Sequence, residues 1–343
     1  MARSSTPCPS SRPPDRARYR HGAAALRALI TGASGFAGAW LVRACVAAGD
    51  SVAALSRTGA VADGAADGLS VDLRDTDAVR AAVRDTGPEV VYHLAALSSV
   101  ARSWEDPTST VQENVATAVS LLEAIRRESP SARVVWVSTC EVYGKPASLP
   151  LHEDAPLQPA NPYAVSKATG DMLAAVYADA HGLDIVRARP FSHAGPGQRP
   201  IFIVSSLARQ AAQARISGQE HMRIVTGNPD ARRDFTDVRD VVRAYRRLAE
   251  AGRPGVYNVS SGRSVSAAEQ VALLGELIAP LRVEHEIDPA RVRAHEVMDL
   301  RGDHQRLTAA TGWEPEISFR QTMADTIRWW EQELSGAPAD DTI

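Results

Sequence analysis

Over about the first 190 residues, apolar runs of strand length alternate with helix-length segments, and this alternation admits few folds. Runs within 23–30, 51–55, 68–73, 89–94, 134–137 and 184–189 read as strands; 37–48, 75–83, 111–127 and 161–180 read as helices. Strands apolar at consecutive positions are buried on both faces, and strand–helix alternation places them in parallel order. The prediction is an α/β fold with a doubly wound parallel sheet. Past residue 190 the alternation loosens into short helices, a strand near 222–225, a helix at 238–250 and a strand at 257–259. Ser266 with Glu269 has the spacing of a capping box, and Ser318 with Gln321 is placed to cap the last helix, whose Trp329 and Trp330 suit packing.

Residues 1–22, rich in Ser, Pro and Arg, read as a disordered leader without the apolar core of a secretory signal. Residues 336–343 read as a disordered tail.

The first strand runs into TGASGFAG at 31–38, and a helix follows at once. In that context Gly32 permits a tight turn, Gly35 lets backbone approach a pyrophosphate at the helix N-terminus, and Gly38 lets helix and strand pack closely. Ser34 and Phe36 complete the candidate cofactor turn. The second strand ends in Arg57, where sites for NAD usually carry an acid; a guanidinium suits a 2′-phosphate and favours NADP(H) over NAD(H), although a solvated loop charge would look the same. Asp72 and Leu73 end the third strand, and Leu94, Ala95 and Ala96 follow the fourth, where small residues let a cofactor cross the sheet edge or simply pack tightly. His93, inside an apolar run, reads as a satisfied core histidine.

A second constellation lies between 138 and 167. With Asn161 as N-cap and Pro162 in the first turn, Tyr163 and Lys167 stand four apart on one helix face. A nearby cation favours phenolate and would bring a phenol into use as an acid–base group. Thr139, at the carboxyl end of the fifth strand, is placed to meet the same substrate oxygen. The pair could equally decorate a helix, but the chain has only two lysines, Lys145 and Lys167, in a sequence otherwise using Arg.

Composition excludes several classes. A net charge of −3 gives no reason to expect nucleic acid or an anionic membrane as a partner. Three scattered cysteines supply neither a disulfide framework nor a metal site, which suits a cytoplasmic setting. No apolar run nears the roughly 20 residues that span a bilayer.

Together these residues resemble the extended short-chain dehydrogenase/reductase family that modifies nucleotide-activated sugars. TGASGFAG, Asp72-Leu73, HLAA, STCEVYG, the Tyr163/Lys167 pair, RPFSHAGPGQ and RRDFTDVRD occur in the family's order over about residues 26 to 334. RAHEV at 293–297, Gly302-Asp303 and Thr311-Gly312-Trp313 are similar to the GDP-mannose branch, shared by 4,6-dehydratases and GDP-4-keto-6-deoxy-D-mannose reductases. The resemblance implies a Rossmann NAD(P)-binding domain over 23–190 and a smaller C-terminal α/β substrate domain over 191–335, with segments returning to the first. It also implies NAD(P)H-dependent reduction of the C4 ketone of a GDP-linked, or other NDP-linked, 4-keto-deoxyhexose, without metal, in a homodimer. Thr139, Tyr163 and Lys167 would be catalytic. Glu141, the base at C5 in dehydratases, keeps a 4,6-dehydratase or another NDP-sugar dehydratase or epimerase as the alternative; a non-catalytic dinucleotide sensor is a third reading. Ser98, Ser192 (where Asn is common), Arg233, Arg293 and Glu296 would contact substrate. Arg233 and Arg293 would serve a surface ion pair with Asp234 or Glu296 equally well.

Overall fold

A computed structural model of the chain describes residues 25–61, 67–292 and 297–336. The expected leader, most of the expected tail, and the substrate candidates Arg293 and Glu296 lie outside the described residues. In chain order the first part comprises β1 (Arg27–Thr31), α1 (Phe36–Ala47), β2 (Ser51–Ser56), β3 (Asp67–Ser70), α2 (Thr76–Thr86), β4 (Val90–His93), α3 (Val100–Glu105), α4 (Pro107–Glu128), β5 (Arg133–Val137), α5 (Pro162–His181) and β6 (Ile185–Pro190). The second part comprises β7 (Ser192–Ala194), α6 (Ile203–Ile216), β8 (His221–Thr226), β9 (Arg232–Asp237), α7 (Val238–Ala251), β10 (Gly255–Val259), β11 (Ser264–Ser266), α8 (Ala267–Ile278), β12 (Arg282–Ile287), β13 (Asp299–Leu300), α9 (Gln305–Thr311) and α10 (Phe319–Ser335).

Seven strands form one sheet in the order β10-β6-β5-β4-β1-β2-β3, every pair parallel. The chain winds outward from β1 in both directions, so the β1/β4 boundary is the switch point where the carboxyl ends of the strands open a crevice. Buried β1 and β5 residues such as Ile30, Val134 and Val135 explain the unbroken apolar runs. One core, with Leu41, Val42, Val241 and Tyr245, lies where α1 and α7 cover the sheet; a second holds Leu121, Leu122 and Trp136. A third core packs α6, α8 and α10 around Leu207, Leu274, Met323 and Trp330, beside a small sheet of β7, β9, β11 and β13. β10 returns to pair with β6, so the large sheet is completed only after the chain has visited the small one. Among the described residues no helix is long and apolar enough to cross a membrane.

Local chemistry sets the boundaries. Asp75 caps α2 by accepting from the amides of Asp77 and Ala78, and Gly87 closes it at φ +51°. Asn161 caps α5, accepting from the Ala164 amide at 2.8 Å, with Pro162 next. The capping box of Ser266 and Glu269 is complete, and Ser318 accepts from the Gln321 amide. Two expectations shift. The helix expected at 111–127 begins at Pro107, because Asp106 caps it through the Ser109 amide. The third strand ends at Ser70, short of Asp72-Leu73, because Asp72 turns back to bind Arg74 and Leu73 drops into the core at 8% exposure.

Candidate active site

The glycine turn sits at the switch point. Gly32 has φ +72°, and a Cβ there would lie 2.8 Å from the Ala95 amide nitrogen, so the turn is pressed against the segment after β4. A Cβ on Gly38 would collide with the Gly32 carbonyl oxygen. Gly35 caps α1 without a side-chain hydrogen bond, which leaves first-turn amides for an anion, and Ser34 beside it is exposed. This cradle fits a dinucleotide: the backbone is bare at the position where a pyrophosphate must approach. Leu94, Ala95 and Ala96 line the crevice half-buried, with the Ala95 amide 3.4 Å from the Thr31 hydroxyl. Phe36 stacks on His193 at 5.9 Å, and Trp40 donates to the Pro196 carbonyl at 3.0 Å, which fastens the loop after β6 over the start of α1.

Arg57 is exposed at the carboxyl end of β2, and its charge acts on Asp72. The Asp72 carboxylate is held at about 2, well below its usual range, mainly by the bidentate contact with Arg74. A cation and an anchored acid therefore stand together at the far end of the crevice.

The second cluster lies where β5 ends. Thr139 starts a 3₁₀ turn, Cys140–Tyr143, and its hydroxyl accepts from the Glu141 amide at 3.2 Å. The turn faces α5, where Tyr163 and Lys167 are buried at 9% and 7% exposure. Burial raises the Tyr163 phenol above its ordinary value, the hydrogen bond with Thr139 draws it down, and the field of Glu141 raises it further. Lys167 lies one turn further along α5. Its ammonium is turned to the Val137 carbonyl, 2.6 Å away, so the lowered tyrosine pKa expected from the sequence does not occur in the chain alone. Lys167 itself is pushed down to about 8, because burial disfavours its charge while Asp171 partly restores it.

Asn161 does double duty: besides capping α5 it donates to Glu141 at 3.1 Å, aligning that carboxylate beside Tyr163. His93 is a satisfied core histidine as expected, 2.8 Å from the Thr31 hydroxyl, packed on Trp136 and pushed down to about 3 by burial and by Lys167. Behind Lys167, Asn114 donates to Ser166 at 2.9 Å and lines a cavity of about 10 Å³, room for at most one water.

The small sheet supplies the other wall. Ser192 is registered with Phe235 on β9, and alternation puts Arg233 on the same face. Arg233 donates to the Arg232 and Val297 carbonyls, and its field reaches Cys140. The ion pair with Asp234 is not formed, because that carboxylate accepts from Ser261, Gly262 and Gly302 instead. Burial, reinforced by Glu141, raises the Cys140 thiol well above its ordinary value, so it stays protonated. Ser98 is exposed between β4 and α3. The sequence reading gives Asn161 as the helix cap but not its contact with Glu141, and it does not single out Asp171, four residues past Lys167.

A parallel sheet of this order, with a glycine turn at its switch point and a buried tyrosine–lysine pair beyond the end of β5, is the fold of a pyridine-nucleotide-dependent oxidoreductase of the short-chain type. The sequence profile described as GDP-mannose 4,6 dehydratase matches residues 29–326, and the chain belongs to that family, among the extended short-chain dehydrogenase/reductases. It is 39% identical over 250 residues to the GDP-6-deoxy-D-mannose reductase of Pseudomonas aeruginosa, covering 72% of this chain and 82% of that protein. It is 31% identical over 322 residues to the UDP-glucose 4-epimerase of Mycolicibacterium smegmatis, covering 90% and 99%. The solved structure of RMD from Pseudomonas aeruginosa complexed with NADPH superimposes with a TM-score of 0.77 at 34% identity, covering 89% of this chain and 99% of that one.

Proposed function

We propose that the protein reduces the C4 ketone of a GDP-4-keto-6-deoxyhexose with NADPH, giving a GDP-linked 6-deoxyhexose. The observation that carries this reading is the Tyr163–Thr139 pair, buried at the carboxyl end of β5 with Lys167 one turn further along the helix. The 39% identity to a GDP-6-deoxy-D-mannose reductase supports the choice of substrate.

Gly32, Ser34, Gly35, Phe36 and Gly38 hold the dinucleotide pyrophosphate, Leu94 to Ala96 its middle, and Asp72 and Leu73 flank the adenosine end. Arg57 meets a 2′-phosphate and favours NADP(H); NAD(H) remains usable where that contact is dispensable. When bound, the reduced nicotinamide supplies a hydride. The chain's own groups do the rest. Thr139 orients the ketone oxygen by a hydrogen bond. Tyr163, kept protonated by burial, gives its Oη proton to that oxygen as negative charge develops. Lys167, released from the Val137 carbonyl, presents its charge to the nicotinamide ribose and stabilises the phenolate left behind. Ser98, Ser192 and Arg233 hold the sugar nucleotide, Arg233 by a guanidinium fork on phosphate, joined by Arg293 and Glu296.

Glu141 sustains a second reading. A carboxylate aligned by Asn161 beside Tyr163 suits proton removal at C5, the step of a 4,6-dehydratase. Mixing protein, NADPH and GDP-4-keto-6-deoxy-D-mannose separates them. Stoichiometric loss of reduced nicotinamide with a deoxyhexose product is the expected result; conversion of GDP-mannose without added reductant would establish the dehydratase instead. Tight NADPH binding with neither reaction would leave the sensor.

We also propose a cytoplasmic homodimer. Val165, Met172 and Val176 on α5 and Val119 on α4 are exposed, and a second copy covers this apolar face.

A further inference from the structure

The catalytic face of α5 continues beyond Lys167. One turn on stands Asp171, at 0% exposure, and two arginines of β6 close on it. Arg187 donates to its Oδ1 at 2.7 Å; Arg189 donates to Oδ2 at 2.9 Å and to Oδ1 at 3.1 Å. Arg189 also donates to the Tyr143 hydroxyl at 3.1 Å, its guanidinium 5.0 Å from that ring's centroid. The Tyr143 hydroxyl in turn donates to Asn258 at 2.7 Å, and Asn258 is fixed by Glu153 and the Leu151 carbonyl. Tyr143 belongs to the same short turn as Thr139 and Glu141. Asp171 and Arg189 are buried and Arg187 is partly exposed, and burying such charges is costly unless their mutual contacts are complete.

We propose that Asp171 is a positioning residue: clamped by Arg187 and Arg189, it sets the charge of Lys167 from one helical turn away and, through Arg189 and Tyr143, ties the catalytic helix to the turn that carries Glu141.

The groups around Lys167 leave Asp171 as the controlling charge. From β4 comes His93, neutral in its core site; from α4 comes Asn114, uncharged; α5 itself contributes the protonated Tyr163. The turn after β5 carries Cys140, Glu141 and Tyr143, and β6 carries Arg187 and Arg189, whose charges are both bound to Asp171. Of these, Asp171 is the charge that raises the affinity of Lys167 for its proton against burial.

The substitutions predict opposite signs. Asp171→Asn removes the anion and leaves Arg187 and Arg189 without their carboxylate, so Lys167 deprotonates at lower pH. Arg187→Gln removes one cation and leaves the anion, so Lys167 deprotonates at higher pH; Arg187 is partly exposed and tolerates replacement better. Because the chain has two lysines, protein labelled with ¹³C at lysine Cε gives two signals, and Lys145→Arg assigns them. The expected result is a Lys167 midpoint near 8 in the parent, lower by on the order of one pH unit in Asp171→Asn and higher in Arg187→Gln. Unmoved midpoints in folded variants overturn the proposal. Should Asp171→Asn not fold, Arg187→Gln decides alone: an upward shift supports the proposal, and an unmoved or lowered midpoint overturns it. With NADPH and the ketosugar, Asp171→Asn should lower kcat with little change in KM for the sugar nucleotide. This rate measurement rests on the reductase reading, whereas the lysine titration needs no substrate. A parent protein that oxidises no NADPH yet shows the opposed shifts would refute the reaction and leave the role of Asp171 standing.

Discussion

At the scale of single residues, the site works by keeping protons where the reduction needs them. Tyr163 is buried against Thr139 and stays a phenol, the form an acid must have before it gives up its proton. Tyr163→Phe should lower kcat by about 10²- to 10⁴-fold with NADPH affinity unchanged, checked by initial rates and fluorescence titration. In the proposed mechanism Lys167 sets the alkaline limit. Its value of about 8 means that the cation is present below that pH and lost above it, so kcat should fall as pH rises through 8. A profile flat into the alkaline range would assign Lys167 no electrostatic role. Arg57 belongs to the same scale: a charge-assisted hydrogen bond is worth about 1.5–3 kcal/mol, so Arg57→Ala should raise KM for NADPH by roughly 10- to 100-fold and leave KM for NADH in place.

At the scale of elements, α5 is the part on which the chemistry is mounted, and its first residue governs both its start and its neighbour. Asn161→Ala should cost about 1 kcal/mol of stability through the lost cap, read by urea unfolding. It should also free Glu141 and so alter turnover beyond the effect on stability. The sequence disclosed most of this element, because a cap, a proline and a four-residue spacing are local signals. It disclosed the glycine turn in part for the same reason: Gly35 and Gly38 are demanded by contacts within one strand–turn–helix unit, whereas the close approach of Gly32 to Ala95 after β4 is set by the sheet. The Asp171–Arg189–Tyr143–Asn258 chain was invisible because its members are brought together by pairing of β5, β6 and β10, which spacing does not encode. The alternative of an ion pair between Arg233 and Asp234 is not met for a similar reason: adjacent residues on a strand point to opposite faces, so Asp234 serves the turn after β10 rather than its neighbour. The third strand was drawn too long because Asp72 followed an apolar run that hid its turn with Arg74.

At the scale of the whole molecule, the exposed faces of α4 and α5 offer a test of assembly. Val165, Met172 and Val176 recur at helical spacing, with Met172 and Val176 at 58% and 59% exposure. A charge at the centre of a covered apolar patch is strongly disfavoured, so Met172→Glu should convert a dimer into a monomer by light scattering, with the NADPH site intact. An unchanged mass would place the contact elsewhere or remove it.

The return of β10 to the outer edge of β6 has a consequence for how the polypeptide matures. A ribosome that has released only the first 190 residues has made six strands whose last edge is still bare, and an uncovered strand edge invites pairing with other chains. The missing partner emerges some seventy residues later, at Gly255–Val259. The two lobes are therefore interlaced and cannot be exchanged like cassettes, and a gene fragment stopping at the end of β6 should yield insoluble product rather than a working nucleotide-binding half.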